Sequence, residues 1–363
     1  MLDDAFRDLD LGVNIIYRID GKLFNLRRLR ARTKVKSHTI RDLLFADDCA
    51  LNANSEADLQ IIIDRFSKAC TNFGLTINTE KTEVMLQPAP GKSYLEPCIK
   101  VNGIALKVVN RFTYLGSTLS QNANVNDEVY TRIAKASSTF GRLYANVWHR
   151  NGINLQTKLK VYRAVVLPVL LYASETWTVY RRHVRKLNHF HTTCLRKVMN
   201  IRWQDKIPDT IVLERSGIPS IDTILMQTQI RWAGHLVRMP DYRLPKILLY
   251  SELEKGKRSQ GGQKKRYKDS LKTSLKAFEI DQDTWEELAQ NRSTWRSTVK
   301  KSASSCEKRR IAEAQQRRVA RKSRTDQNPP TVVIPCPNCP RTFTARIGLI
   351  SHLRTTIHGH NSN

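Results

Sequence analysis

The strongest constraint on the fold is a pair of adjacent carboxylates inside an apolar run, Leu43-Leu44-Phe45-Ala46-Asp47-Asp48-Cys49-Ala50-Leu51. Apolar residues on both sides of a tight polar step predict two buried strands joined by a turn that carries Asp47 and Asp48. Ionised carboxylates beside a core are costly unless something cationic meets them, and a divalent metal ion supplies that charge. The pair therefore reads as a metal site, set against the plainer reading of two aspartates in a solvated turn. Downstream, Ser55-Glu56-Ala57-Asp58 predicts a helix start. Leu59, Ile62, Ile63, Phe66, Cys70 and Phe73 then recur at helical spacing, and Gly74 marks the stop. Residues 75–78 and 84–86 read as short strands before the break at Pro88-Ala89-Pro90-Gly91.

Three stretches together carry a family resemblance. They are Phe45-Ala46-Asp47-Asp48, then Phe73-Gly74-Leu75 with Asn78 and Lys81-Thr82-Glu83, then Phe112-Thr113-Tyr114-Leu115-Gly116-Ser117. In that order and spacing the chain resembles the distal palm of a reverse transcriptase from a non-LTR retrotransposon. The resemblance implies an RNA-directed DNA polymerase in which Asp47 is the principal ligand of catalytic Mg²⁺ and Asp48 its neighbour. It also implies that Lys81 lies near the departing pyrophosphate and that Tyr114 and Gly116 belong to a primer-gripping hairpin. For Lys81 the plainer reading is an exposed cation on a loop. Two-metal chemistry places ions about 3.5–4 Å apart and needs ligands from more than one segment. The family supplies a further Asp and a nucleotide-binding segment upstream of the hairpin. Within residues 1–46, Asp3, Asp4, Asp8, Asp10, Asp20 and Asp42 fall outside the expected strand pattern. The expectation is a polymerase portion that is inactive as an isolated fragment.

Charge points to the same class of partner. Lys and Arg total 61 against 33 Asp and Glu, a net +28, which calls for a polyanion and binding that weakens with salt. RNA template and DNA primer or target are the natural candidates. No apolar run approaches the length of a membrane span, so no membrane partner is expected. Seven cysteines, two of them in metal-like spacing, suggest a reducing compartment rather than a disulfide framework. Residues 18–36 hold eight basic residues and one acid, interleaved with apolar side chains. Arg27 and Arg28 in this stretch are candidates for a template backbone, the alternative being a solvated strand pair.

Beyond residue 120 the pattern turns helical. Asn126 or Asp127 is positioned to cap a helix through Val129, Ile133, Ala136, Phe140 and Leu143, and further helices are predicted near 155–166 and 179–200. These match the family's thumb, which holds the template–primer duplex. His189, His191 and Cys194 read as ordinary helix residues, because one helix cannot aim all three at one ion. Trp232, in Arg231-Trp232-Ala233-Gly234-His235, is either a core residue or a stacking platform. A basic, glycine-containing linker is expected around 254–268. The run 296–324, with eleven Lys/Arg and only Glu307 and Glu313, predicts a charged helix or tail that does not dock; it is equally a phosphate-binding, nuclear-targeting or merely solvated segment.

The sharpest local motif is Cys336-x₂-Cys339-x₁₂-His352-x₅-His358, with Phe343 and Leu349 where a miniature core needs them. It predicts a ββα zinc finger of the C₂H₂ type, with His360 as an alternative last ligand. The base-facing positions would be Ala345, Gly348 and Ser351, all small, which leaves Arg341, Arg346 and Arg354 for phosphates and predicts weak sequence preference. The whole chain reads as α+β. The expected divisions are a partial palm at 1–120, a helical thumb at 121–250, a basic linker and helical tail at 251–330, and the finger at 331–363. Zn²⁺ in the finger and Mg²⁺ at the hairpin are the implied cofactors. The remaining retroelement polypeptide is a candidate partner, and the nucleus or the cytoplasm the expected location. The competing class is a non-catalytic zinc-finger nucleic-acid-binding protein derived from a retroelement.

Overall fold

Val13–Tyr17 (β1) buries Ile15 and is paired antiparallel along both edges. Lys36–Ile40 (β2) lies on one side, with Lys36 opposite Tyr17; Ser251–Leu253 lies on the other, with Leu253 opposite Ile15. The computed structural model describes residues 5–31, 33–88, 93–254, 265–327 and 333–358, of which 324–327 and 354–358 as backbone alone. Most of the linker expected at 254–268 lies outside the described residues.

Asp42–Phe45 (β3) and Asp48–Leu51 (β4) form an antiparallel hairpin closed by Ala46 and Asp47, with Phe45 opposite Asp48. Ala46 adopts φ 53°, in the left-handed region that two-residue hairpin turns use. The strands are not buried as expected: Leu44 is 44% and Phe45 62% exposed. A two-stranded sheet leaves both outer edges and much of one face without cover.

Glu56–Asn72 (α1) starts as the sequence predicts, with Ser55 Oγ accepting from the Asp58 N–H at 3.1 Å. It stops at Gly74, φ 70°, where the Leu75 N–H donates to the Cys70 carbonyl at 2.8 Å. Its Ile63 packs with Val84, Ile99, Val101 and Leu106 in a small core. Residues 75–78 are irregular instead of a strand. Asn78 Oδ1 accepts from the N–H groups of Glu80 and Lys81, a side-chain turn that competes with strand pairing. Four two-residue strands follow, Glu83–Val84 (β5), Lys100–Val101 (β6), Ile104–Ala105 (β7) and Lys107–Val108 (β8). Arg111–Tyr114 (β9) and Ser117–Ser120 (β10) then make a second hairpin, with Tyr114 opposite Ser117.

The helical region begins with Asn126–Arg142 (α2). The cap position is Val125 and not Asn126 or Asp127, with no side-chain cap bond; Asn124 Oδ1, one residue before it, accepts the Asn126 N–H at 2.9 Å, and Asn126 itself bonds to His183. Leu155–Val161 (α3) runs on through a π-helical stretch, Tyr162–Val166. Arg181–Val198 (α4), Asp209–Ser216 (α5) and the start of Ile221–Arg238 (α6) complete this part. Val129, Phe140, Trp148, Leu159, Tyr162, Leu187 and Leu195 form its core.

A second helical core lies between α6, Leu244–Tyr250 (α7), Tyr267–Ala277 (α8), Trp285–Gln290 (α9) and the first part of Arg292–Gln327 (α10). Leu23, from the basic stretch, is fully buried there with Ile230, Leu271, Phe278, Trp285 and Trp295. The undocked tail expected from residue 296 is therefore corrected: Val299, Ala303 and Cys306 continue the stripe begun by Trp295 at helical spacing and are buried. Alanine and cysteine among many charges make a narrow stripe that composition hides. Glu307 completes the docking by accepting from the Ser220 N–H at 3.1 Å, the Ser220 hydroxyl at 2.8 Å and the Thr223 hydroxyl, which places a carboxylate at the N-terminus of α6.

Residues 1–307 and 308–363 are two compact units. The second holds, after the rest of α10, the antiparallel pair Ile334–Pro335 and Thr342–Phe343 and the helix Arg346–His358 (α11). No described helix is long and apolar enough to cross a membrane.

Candidate active site and metal centre

Asp47 and Asp48 sit exposed at the tip of the β3–β4 hairpin, and neither carboxylate is held by a hydrogen bond or ion pair among the described residues. No third His, Cys, Asp or Glu joins them in a metal-holding group among those residues. Behind the tip, the Tyr114 hydroxyl donates to the Leu43 carbonyl at 2.8 Å and hooks the second hairpin to the first. Burial, with Cys49 and Asp48 adding, raises the pKa of that phenol. Burial also pushes the Cys49 thiol up to about 12, with Asp42 contributing, so the sulfur beside the hairpin stays protonated at neutral pH.

The Tyr114-Leu115-Gly116 turn needs glycine, because Leu115 and Gly116 both take left-handed backbone at φ 47° and φ 80°. Three side chains clamp it. Arg132 donates to the Gly116 carbonyl and, at 2.7 Å, to Glu128; Glu128 in turn accepts the Thr118 N–H at 2.7 Å. Tyr172 stacks under the Arg132 guanidinium at 4.5 Å and donates its hydroxyl to the Leu115 carbonyl at 3.0 Å. The Arg132 and Glu128 side chains are each 5% exposed, so this is a buried ion pair whose remaining hydrogen bonds go to the turn. Sequence reasoning missed Glu128 and Arg132 and gave Tyr172, in Leu170-Leu171-Tyr172, no role at this turn. The i, i+4 spacing of Glu128 and Arg132 was visible, but nothing local placed them against residue 116.

Other candidates are scattered. Lys81 is exposed in the loop shaped by Asn78, which engages its N–H and not its ammonium, and no described contact joins it to the hairpin. Arg27 is exposed on the 3-10 turn Leu26–Arg30. Arg28, expected at a nucleic-acid backbone, is 5% exposed: Nη2 donates to the Tyr250 carbonyl at 3.0 Å and the guanidinium lies over the Tyr250 ring. That burial lowers its pKa and removes it from the surface a phosphate reaches.

In the second unit, ligand atoms of Cys336, Cys339 and His352 all lie within 4.8 Å of one another, with Cys339 Sγ 3.3 Å from His352 Nε2. Tetrahedral zinc, with bonds of about 2.0–2.3 Å, sets neighbouring donors roughly 3.5 Å apart, so the donor set fits a metal ion of this kind. The Cys336 N–H donates to the Arg341 carbonyl at 2.8 Å, and the Phe343 ring packs 5.1 Å from that of His352. Arg346 is exposed at the start of α11. The side chains of Arg354 and His358, and the whole of His360, lie outside the described residues.

Comparison with known proteins gives this arrangement a class. Residues 22–119 match the family model for reverse transcriptase (RNA-dependent DNA polymerase), a segment that contains the first hairpin and all but the last residue of the second. Over 287 residues the chain is 24% identical to an uncharacterized transposon-derived protein of Caenorhabditis elegans, covering 74% of this chain and 98% of that protein. It is 24% identical over 186 residues to the RNA-directed DNA polymerase from mobile element jockey of Drosophila melanogaster, 49% of this chain and 20% of that protein. The jockey polymerase of Drosophila funebris gives 24% over 177 residues, 46% of this chain and 19% of that protein. The matched part spans about a fifth of the length of the two jockey polymerases. The chain thus carries a reverse-transcriptase domain. Beyond that segment, the chain is similar to a transposon-derived protein and to RNA-directed DNA polymerases from mobile elements.

Proposed function

We propose that residues 1–120 act as the distal palm of an RNA-directed DNA polymerase, with Asp47 the principal Mg²⁺ ligand and Asp48 its neighbour. The observation that carries this reading is the unengaged carboxylate pair at a hairpin tip, hooked by Tyr114 to a second hairpin. Divalent ions bound there would stabilise the attacking and leaving oxygens of nucleotidyl transfer. The chain's own residues position that chemistry. The Ala46 turn holds both carboxylates outward, the Tyr114–Gly116 turn backs the primer terminus, and Lys81 offsets charge on the departing pyrophosphate. Residues 121–250 serve as the thumb against the template–primer duplex. Cys336, Cys339, His352 and His358 hold Zn²⁺ in a terminal finger whose Arg346 and Arg354 meet phosphates, with Arg27 on the template side. The remaining retroelement polypeptide is the partner that completes the polymerase, and the nucleus its place of action.

Primer extension on an RNA template with Mg²⁺, by this chain and by Asp47→Ala, tests the reading. Extension that vanishes in Asp47→Ala supports it and requires a further carboxylate from elsewhere in the chain or from a second copy. No extension, together with salt-sensitive binding of the same template–primer, replaces it with the non-catalytic nucleic-acid-binding reading.

A further inference from the structure

A cleft of about 580 Å³ opens between α6 and the start of α10. Arg231, His235 and Arg238 reach it from successive turns of α6, and Arg292 and Arg296, one turn apart, reach it from α10. A shallower depression of about 660 Å³ continues along α10 to Lys300. Arg292, Arg296 and Lys300 therefore form a basic row about 12 Å long at roughly 1.5 Å of rise per residue. Glu175 is the single acid lining the cleft. The rings of Trp232 and His235 lie 5.4 Å apart at the same wall, His235 exposed and Trp232 half-buried.

Like charges do not gather in a fold without cost. Arg238 shows it, its pKa lowered first by burial and then by Arg292. Arg238 also has a structural task, donating to the Ala289 carbonyl. Arg231, Arg292 and Arg296 have none: all three are exposed, and no hydrogen bond or ion pair engages them among the described residues. Guanidiniums left unpartnered on the wall of a concave site, beside accessible aromatic edges, suit phosphates on the charges and an unstacked base on the rings.

We propose that this cleft is a second nucleic-acid site that takes a single-stranded segment. Its phosphates meet Arg231, Arg292 and Arg296, Lys300 extends the track, and one base lies against Trp232 and His235. A duplex keeps its bases stacked inside and offers no free ring to that wall. The inference rests on the reading of this chain as a nucleic-acid-handling portion of a retrotransposon polymerase, and its test separates the two.

The test is fluorescence anisotropy of the full chain with a labelled single-stranded RNA of about 12 nucleotides and with a duplex of the same length, across a salt series. The variant is Arg231→Ala with Arg292→Ala and Arg296→Ala. The charge-matched control is Lys68→Ala with Lys107→Ala and Lys276→Ala, all exposed positions away from the cleft. The cleft variant should weaken single-strand binding about tenfold or more and reduce the magnitude of the salt slope by about 2, near 0.7 for each phosphate contact. Duplex binding by the same variant should fall severalfold less than single-strand binding, and single-strand binding by the control should change less than about twofold. His235→Ala should weaken the single strand by about fivefold and the duplex by clearly less. Equal losses in the cleft variant and the control overturn the cleft but leave the nucleic-acid reading standing. Equal loss of duplex and single strand in the cleft variant overturns the single-stranded assignment. A wild-type chain that binds neither probe overturns both.

Discussion

His191 is fully buried in the helical core, its Nδ1 2.9 Å from the Tyr162 hydroxyl. Burial lowers its pKa to about 4, whereas an unfolded histidine titrates near 6.5. The folded chain therefore resists a proton that the unfolded chain accepts. Stability contributed by the neutral ring is present above about pH 6.5 and is lost as pH falls towards 4, by about 3 kcal/mol at most. His183, whose pKa is also lowered by burial, acts in the same direction. Urea unfolding across that window should show stability falling with acid in the native chain and a flatter profile in His191→Gln; identical slopes would refute the assignment. Gly234 shows a different constraint at the same scale. A Cβ there would lie 2.0 Å from Trp295 Nε1, so the glycine inside α6 exists to admit an indole from α10. Both residues stood out in the sequence as members of suggestive patterns, His191 near Cys194 and Gly234 beside Trp232. What each does is set by a partner distant in the chain, which no local pattern names.

Elements behave as their sequence patterns say where their partners are local. α1 begins at its serine cap and ends at its glycine, because both signals act within a few residues. The second hairpin depends on α2 instead. Arg132→Met should leave the Glu128 carboxylate buried without its cation and free the Gly116 carbonyl, costing about 3–5 kcal/mol. Chemical denaturation of the variant checks this, and a loss below about 1 kcal/mol would mean that the clamp is not structural. Arg132→Lys should recover only part of the loss, since the ammonium lacks the planar fork that reaches Glu128 and Gly116 together. α10 is the element that composition misrepresented. Eleven cations over residues 296–324 outweigh the few apolar side chains, yet those side chains fall on one stripe and Glu307 caps α6.

At the scale of the whole chain, every residue of the four hydrophobic cores found among the described residues lies at or before Cys306. Among the described residues, the second unit holds the end of α10, two short strands and α11 around Cys336, Cys339 and His352, so the proposed zinc would supply most of what holds its finger together. Removing zinc with a chelator should abolish the dispersed amide signals of residues 333–358 and leave the thermal midpoint of residues 1–307 unchanged. A shared loss of both would show that the two units fold together. The Cys and His spacing, the Asp47–Asp48 turn, the helical periodicities and the +28 charge were legible directly, because each is a property of neighbours in the chain or of a sum over it. Only the tertiary structure decided that Arg28 is buried against Tyr250, that Leu23 joins a core with Trp285, and that Ser251–Leu253 pairs with β1. It alone also set the exposure of Leu44 and Phe45 and the convergence of Arg231 with Arg292. The physical reason is common to all of these: burial and pairing depend on what lies across space, and a side chain's own type and spacing do not specify that partner.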